Sequence, residues 1–295
     1  MLKCSGPVLI ECYVTDRMEI INRIPRMVSI GRELRAGGKR IGLVPTSGGF
    51  HEGHLSLMTR AGELCDSVIV SILPDQGVEE TAADLARDAE LAFTRGVDLI
   101  FAPAAEDMFP RGFSTFVTVE GLSEKLEGAS LPGNFRDSTT VATKLINIVH
   151  PHFAFFGRKN AQQVVIVKRM ARELAMDVEI VVCPIVREED GLALSAANSR
   201  LSTDERKAAI VLRRALERCR SLYIGSERDA ARLISAMRSM TDAEPLARVD
   251  YAAITNTNRL DALVSLTAEK TALVSLAVYV GATRLTDNIV LDGEL

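Results

Sequence analysis

Short apolar runs alternate along the chain with longer segments in which apolar residues recur at helical spacing. Ser67 to Leu73 reads Ser-Val-Ile-Val-Ser-Ile-Leu, a continuous stretch of the kind buried on both faces in a parallel sheet. Arg40 to Val44, Asp98 to Ala102, Phe153 to Gly157 and Val178 to Pro184 have the same character and predict further strands. Between them, helices are predicted over Met27 to Leu34, from Gly53 onward with Leu55, Met58 and Leu64 on one face, and over Ala82 to Thr94, Thr139 to Val149 and Ala161 to Ala175. Strand and helix in alternation over residues 40 to 184 predict an α/β fold built on a doubly wound parallel sheet. Phe113 to Glu120 alternates apolar and polar positions, which predicts an exposed strand or hairpin arm. Gly128 to Arg136 reads as a loop.

The pattern changes at Arg187-Glu188-Glu189-Asp190-Gly191, a polar stretch that reads as a domain boundary. Beyond it, helices over Thr203 to Leu222 and Asp229 to Ser239 and strands over Val249 to Thr255 and Thr271 to Val280 predict a smaller α+β domain. The expected partition is an extension over 1–17, a main domain over 18–186 and a C-terminal domain over 187–295. A chain of 295 residues, 47% hydrophobic and 25% charged, has room for two such cores.

A net charge of −4 and the absence of Trp argue against a nucleic-acid surface. Charged residues interrupt every apolar run, so no membrane span is expected. Val8-Leu9-Ile10 is followed at once by Glu11, too short a run for a secretory signal. Five scattered Cys, without metal-type pairing, read as reduced thiols of a cytoplasmic protein.

The chemistry concentrates in Val44-Pro45-Thr46-Ser47-Gly48-Gly49-Phe50-His51-Glu52-Gly53-His54. A strand that passes through small residues into a helix N-terminus aims backbone N–H groups and the positive helix end at one point, which suits a phosphate. His51 and His54 aim at the same point, and beside bound phosphates both are expected to be protonated. A second strand-to-helix turn, Phe156-Gly157-Arg158-Lys159-Asn160-Ala161-Gln162-Gln163, offers a mobile ammonium and two neutral amides.

These two segments, with Pro132-Gly133-x-Phe135-Arg136, Lys144 to Val149, Arg187-Glu188-x-Asp190-Gly191-Leu192-Ala193 and Thr283-Arg284-Leu285-Thr286-Asp287-Asn288, resemble the pantothenate synthetase (pantoate–β-alanine ligase) family from about Met18 to the end. The resemblance implies a Rossmann-like fold of the His-x-Gly-His nucleotidyltransferase type and a cytoplasmic homodimer. It implies condensation of pantoate with β-alanine through a pantoyl adenylate. His51, His54 and Lys159 would be catalytic. ATP would contact Thr46, Gly48, His51, His54, Gly157, Lys159, Asn160, Val186, Leu194 and Ser195. Gln76 and Gln163 would grip pantoate, and Mg²⁺ would sit near Asp88. Small-molecule substrates alone are implied, with no nucleic acid or membrane as partner.

The chain departs from the family pattern inside the pocket. Ser47 replaces a Met, Asn160 an acidic residue and Arg158 a Glu. Ala196-Ala197 replaces a Ser-Arg pair of the phosphate loop, and Leu73 to Gly77 is shortened. Arg158, Arg187 and Arg200 are the candidates to compensate. Two other readings stay open on these residues: an adenylate-forming ligase for a different acid or amine, and a weakly active or inactive homologue with a binding role.

Overall fold

Alternating side chains on each strand supply two separate cores, and this places helices on both faces of one sheet. In the computed structural model, which describes residues 14–15, 18–73, 81–267 and 270–295, the strands of that sheet are β1 (Val14–Thr15), β2 (Met18–Ile21), β3 (Ile41–Thr46), β4 (Ser67–Ile72), β5 (Leu99–Phe101), β6 (Phe153–Gly157) and β7 (Glu179–Cys183). Their order is β1-β2-β5-β4-β3-β6-β7. All neighbours run parallel except β1, which pairs antiparallel with β2 at the edge. The α/β doubly wound expectation is met.

The helices between these strands are α1 (Ile24–Ala36), α2 (Glu52–Leu64), α3 (Ala82–Phe93), the single turns α4 (Ala105–Met108) and α5 (Glu127–Ser130), then α6 (Asn134–Val149) and α7 (Ala161–Glu173). Ile41, Leu43 and Ile69 point into one core with Met27 of α1, Leu145 of α6 and Val164 of α7. Val44, Val68 and Val70 point into the other with Leu55 and Met58 of α2 and Ala92 of α3. Neighbouring strands β3 and β6 thus send their following helices, α2 and α7, to opposite faces. The strand order reverses between them, which opens a crevice at their carboxyl ends.

After β7 come α8 (Thr203–Ala208), α9 (Val211–Ile224), α10 (Ala230–Asp242), β8 (Ala247–Asn256), β9 (Ala272–Val280) and β10 (Thr283–Leu291). The three strands form an antiparallel sheet in the order β10-β9-β8. Leu212, Leu216, Leu233 and Met237 of α9 and α10 pack with Val274, Leu276 and Val278 of β9. Leu273, one residue out of phase, joins the core beneath β3 and β6, so this sheet docks on the first layer.

Several expectations need correction. Phe113 to Glu120 forms no strand. The Val117 N–H donates to Thr140 Oγ1 (3.0 Å) and its carbonyl accepts from Thr139 Oγ1 (2.6 Å), so two α6 hydroxyls occupy ladder groups that the alternating pattern offered to a partner strand. The expected loop over Gly128 to Arg136 holds the end of α5, and α6 starts at Asn134 rather than Thr139. The expected helix over Thr203 to Leu222 is two helices, broken at Ala209 and Ile210. Met18 to Ile21 and Thr283 to Leu291 are strands that the hydrophobic pattern alone did not predict.

Gln162 anchors the irregular segment before α5 to α7. Buried at the start of α7, its Nε2 donates to the carbonyls of Leu122 (2.9 Å) and Lys125 (2.7 Å), and its Oε1 accepts from the Glu127 N–H (3.0 Å). Replacing it with Leu strands those groups, so Gln162→Leu is expected to destabilise the protein by about 1–3 kcal/mol. The expected readout is a lower denaturant midpoint at unchanged slope, and a wild-type midpoint would show the anchor to be idle.

Candidate active site

The loop after β3 is shaped by its own polar atoms. Thr46 Oγ1 donates to the Ser71 carbonyl of β4 (2.7 Å) and accepts from the Gly48 N–H (3.4 Å). Gly48 and Gly49 follow at φ +85° and +64°, left-handed backbone that side chains rarely adopt. The Phe50 N–H then donates to Asp88 Oδ1 (3.0 Å). Asp88 is wholly buried in α3, beside the Arg87 guanidinium (3.3 Å). It ties the loop down from below. Among the described residues no three His, Cys, Asp or Glu side chains are grouped to hold a metal.

His51 is the N-cap of α2, and its Nδ1 accepts from the Gly53 N–H (3.1 Å). That bond sets the neutral tautomer: Nε2 carries the hydrogen and is the edge left to a ligand. A Cβ on Gly53 would lie 2.7 Å from the His51 Cε1, so the ring closes over its own cap only because residue 53 is glycine. His54 stacks on His51 with ring centroids 4.1 Å apart and 23° between planes, and Phe50 covers it at 5.7 Å. Among the described residues the buried His54 Nδ1 has no hydrogen-bond partner.

Both imidazoles are pushed toward the neutral form. For His51 the cause is burial, then the Lys159 ammonium; for His54, pushed down to about 4, it is burial, then His51. These directions describe the site without phosphates, whose presence is the condition under which both imidazoles are expected to be protonated. Neutral His51 donates through Nε2–H without carrying a charge.

Lys159 reaches the same place from the neighbouring strand. Gly157 ends β6, and a single 3-10 turn, Arg158 to Asn160, leads into α7. The turn is held from the C-terminal sheet: buried Asn288 of β10 donates its Nδ2 to the carbonyls of Arg158 (2.9 Å) and Lys159 (3.1 Å). Burial pushes the Lys159 ammonium below its usual range, while the Glu127 and Asp287 carboxylates push it back up. Lys159, Asn160 and Gln163 line a cavity of about 300 Å³ together with Ser47, Glu127 and Tyr251. Asn160 Nδ2 donates to Gln163 Oε1 (3.3 Å), which aligns the two amides.

The sequence-predicted residues thus fall into three groups. Thr46, Gly48, His51 and His54 lie along the end of β3 and the start of α2, and Gly157, Lys159, Asn160 and Gln163 along the end of β6 and the start of α7. Val186, Leu194 and Ser195 lie together on a third segment. There the Leu194 N–H donates to the Val186 carbonyl (3.0 Å), and Ser195 caps the 3-10 turn Ala196–Arg200 through the Ala197 N–H (3.3 Å). Of all these residues only Lys159, Asn160 and Gln163 line the cavity. Gln76 lies outside the described residues.

Of the possible compensating arginines, Arg187 is committed to buried Asp287 (2.7 and 2.9 Å) and Arg200 is exposed. Arg158 is half-buried beside that pair. The sequence reading missed Glu127, Tyr251, Asp287 and Asn288. The run Thr283 to Asn288 stood out as a motif, but nothing in its pattern pointed at Lys159.

A family model described as Pantoate-beta-alanine ligase matches residues 19–290. A curated protein named Pantothenate synthetase from Heliobacterium modesticaldum is 48% identical over 282 residues, covering 93% of this chain and 100% of its own length. Another of that name, from Pelotomaculum thermopropionicum, is 47% identical and covers 94% and 100%. The crystal structure of pantothenate synthetase from Thermus thermophilus superposes with a TM-score of 0.82 at 37% identity, covering 92% of this chain and 98% of that one. A ligase of Francisella tularensis, solved in complex with beta-gamma ATP and beta-alanine, has a TM-score of 0.71 at 28% identity, covering 94% and 99%.

The neutrality of His54 has a measurable consequence. Between about pH 6.5, the unfolded value, and about pH 4, the unfolded chain takes up a proton that folded His54 refuses. The stability His54 confers is therefore present above that interval and is lost as pH falls through it. In melting experiments His54→Gln should lose less stability than wild type between pH 7 and pH 4.5, and parallel losses would contradict the neutral assignment.

Proposed function

The chain belongs to the pantoate–beta-alanine ligase family, and from that premise we propose how its residues join pantoate to β-alanine at the expense of ATP. The single observation that carries the assignment of roles is the convergence of His51 and Lys159. They start the helices that follow the carboxyl ends of two adjacent parallel strands, β3 and β6. Two donors and a helix N-terminus at one crevice suit a triphosphate.

In the first step the pantoate carboxylate attacks the α-phosphorus of ATP, the bond to the bridging oxygen breaks, and pyrophosphate leaves. His51 donates from Nε2 to a phosphate oxygen, and His54, stacked behind it, fixes the plane of that ring. Lys159 supplies the full positive charge that the neutral imidazoles do not. These groups hold the negative charge that grows on the phosphate oxygens as the new bond forms. Gln163, oriented by Asn160, receives the hydroxy acid, with Gln76 as a second amide. In the second step the amine of β-alanine attacks the acyl carbon of the adenylate, loses a proton, and AMP leaves.

Thr46 and Gly48 shape the phosphate loop, Gly157 and Asn160 lie on the ribose side, and Val186, Leu194 and Ser195 close over the nucleotide from the C-terminal side. Mg²⁺ is expected to arrive with the triphosphate and to neutralise part of its charge. The described residues do not build a cage for it, so no step is assigned to a protein-held ion.

We further assign residues 18–186 to the nucleotide- and pantoate-binding domain and 187–295 to a lid. The active form is taken to be a cytoplasmic homodimer, by analogy with the family. No helix among the described residues is long and apolar enough to cross a membrane.

Pantoate-dependent exchange of pyrophosphate into ATP tests the assignment directly. His51→Ala and Lys159→Ala are each expected to lower exchange by about 10²–10³ while the proteins still melt cooperatively. Unchanged rates in folded variants would show the site to be misplaced.

A further inference from the structure

Glu127 is held in place by three separate elements, more than a carboxylate on a single-turn helix requires. Its backbone N–H is bonded by Gln162 of α7 (3.0 Å). Its carboxylate accepts from the Tyr251 hydroxyl of β8 (3.5 Å) and from Arg284 of β10 (3.4 Å). Three residues on, Ser130 Oγ donates to Asp250 of β8 (2.9 Å), which pins the other end of the same turn. The half-buried carboxylate stands in the wall of the cavity that Lys159 also lines.

Resting on the reading of Lys159 as the phosphate-holding ammonium, we propose that Glu127 is the positioning residue for Lys159, its counter-charge within the cleft. Local charge singles Glu127 out from the other groups that face Lys159. These are Asp287 and Arg284 from β10, Tyr251 from β8, His51 from the start of α2, and Arg158 on the same turn. Asp287 is already matched by Arg187 in a two-bond fork, so that pair is neutral as a unit. Arg284 makes its closer bonds, 3.0 and 2.8 Å, to Asp250 and only a longer one to Glu127. The trio Glu127, Asp250 and Arg284 therefore holds two negative charges against one positive, with Arg248 of β8 outside the cavity also acting on Asp250. Lys159 is the cation in the same cavity that balances the trio.

Among the described residues no carboxylate lies within ion-pair distance, 4.0 Å, of the Lys159 ammonium. Glu127 thus acts through space, holding charge on Lys159 without capping its donors, which stay open for phosphate oxygens. In a partly buried cleft such an arrangement opposes the cost of burying the ammonium, the main cause of its lowered affinity for protons.

The decisive measurement is the pH dependence of ATP affinity, by calorimetry, beside that of pantoate-dependent pyrophosphate exchange. Glu127→Gln keeps acceptors for Tyr251 and Arg284 and removes only the charge. It is expected to move the alkaline limit of both profiles down by about one pH unit, with Glu127→Asp returning part of the way. In a Lys159→Arg background, where the cation does not titrate in this range, the same substitution should leave the alkaline limit where it was. Profiles that superpose on wild type, or that drop by one factor at every pH, would overturn the proposal and leave Glu127 as a packing residue. Wild-type protein that binds ATP but shows no exchange would count against the ligase roles given above. The calorimetric profile would still decide the part played by Glu127.

Discussion

Two parallel strands whose following helices leave on opposite faces of a sheet cannot close the space between their carboxyl ends. In this chain β3 and β6 are that pair, and everything chemical follows from the gap they leave. α2 departs toward the core of Leu55 and Met58, α7 toward the core of Val164 and Val167. Each helix begins at the gap with its positive end. The sequence places imidazoles at one beginning and an ammonium at the other. Neither set would make a phosphate site alone, since neutral imidazoles lack charge and a lone flexible lysine lacks direction.

The C-terminal sheet completes what the switch point opens. Asn288 holds the carbonyls of the Lys159 turn, Tyr251 and Arg284 hold Glu127, and Arg187, at the very start of the connecting segment, is bound to Asp287. The position of the Lys159 ammonium therefore depends on a sheet more than a hundred residues away in sequence. This also explains why so many polar groups of β10 are buried: Asp287 and Asn288 face inward against the first layer rather than outward to water.

Much of the fold was legible because parallel strands and amphipathic helices write strong, local patterns. Ser67 to Ile72 and the Leu55, Met58 spacing needed no context. What was not legible depended on partners distant in sequence. Phe113 to Glu120 alternates like a strand, yet two threonine hydroxyls of α6 take the backbone groups of Val117. Thr283 to Leu291 is a strand because β9 lies beside it. At the site, the residue types at 51, 54 and 159 announced themselves by position in two strand-to-helix turns. Their protonation did not, because burial and mutual repulsion are properties of the folded cleft. Glu127 was invisible for the same reason: nothing near it in sequence hints at Lys159.

The segment from Phe113 to Val119 carries a property of another kind. A run of exposed, alternating β-formers is the sort of edge on which neighbouring molecules stack into sheets. With the Val117 amide and carbonyl already claimed by Thr140 and Thr139, and with Arg136 lying over the Phe116 ring at 4.0 Å, the run offers an incoming strand an interrupted ladder and a charged face. Two threonines on a helix thereby remove one rung from the ladder that an alternating run would otherwise present.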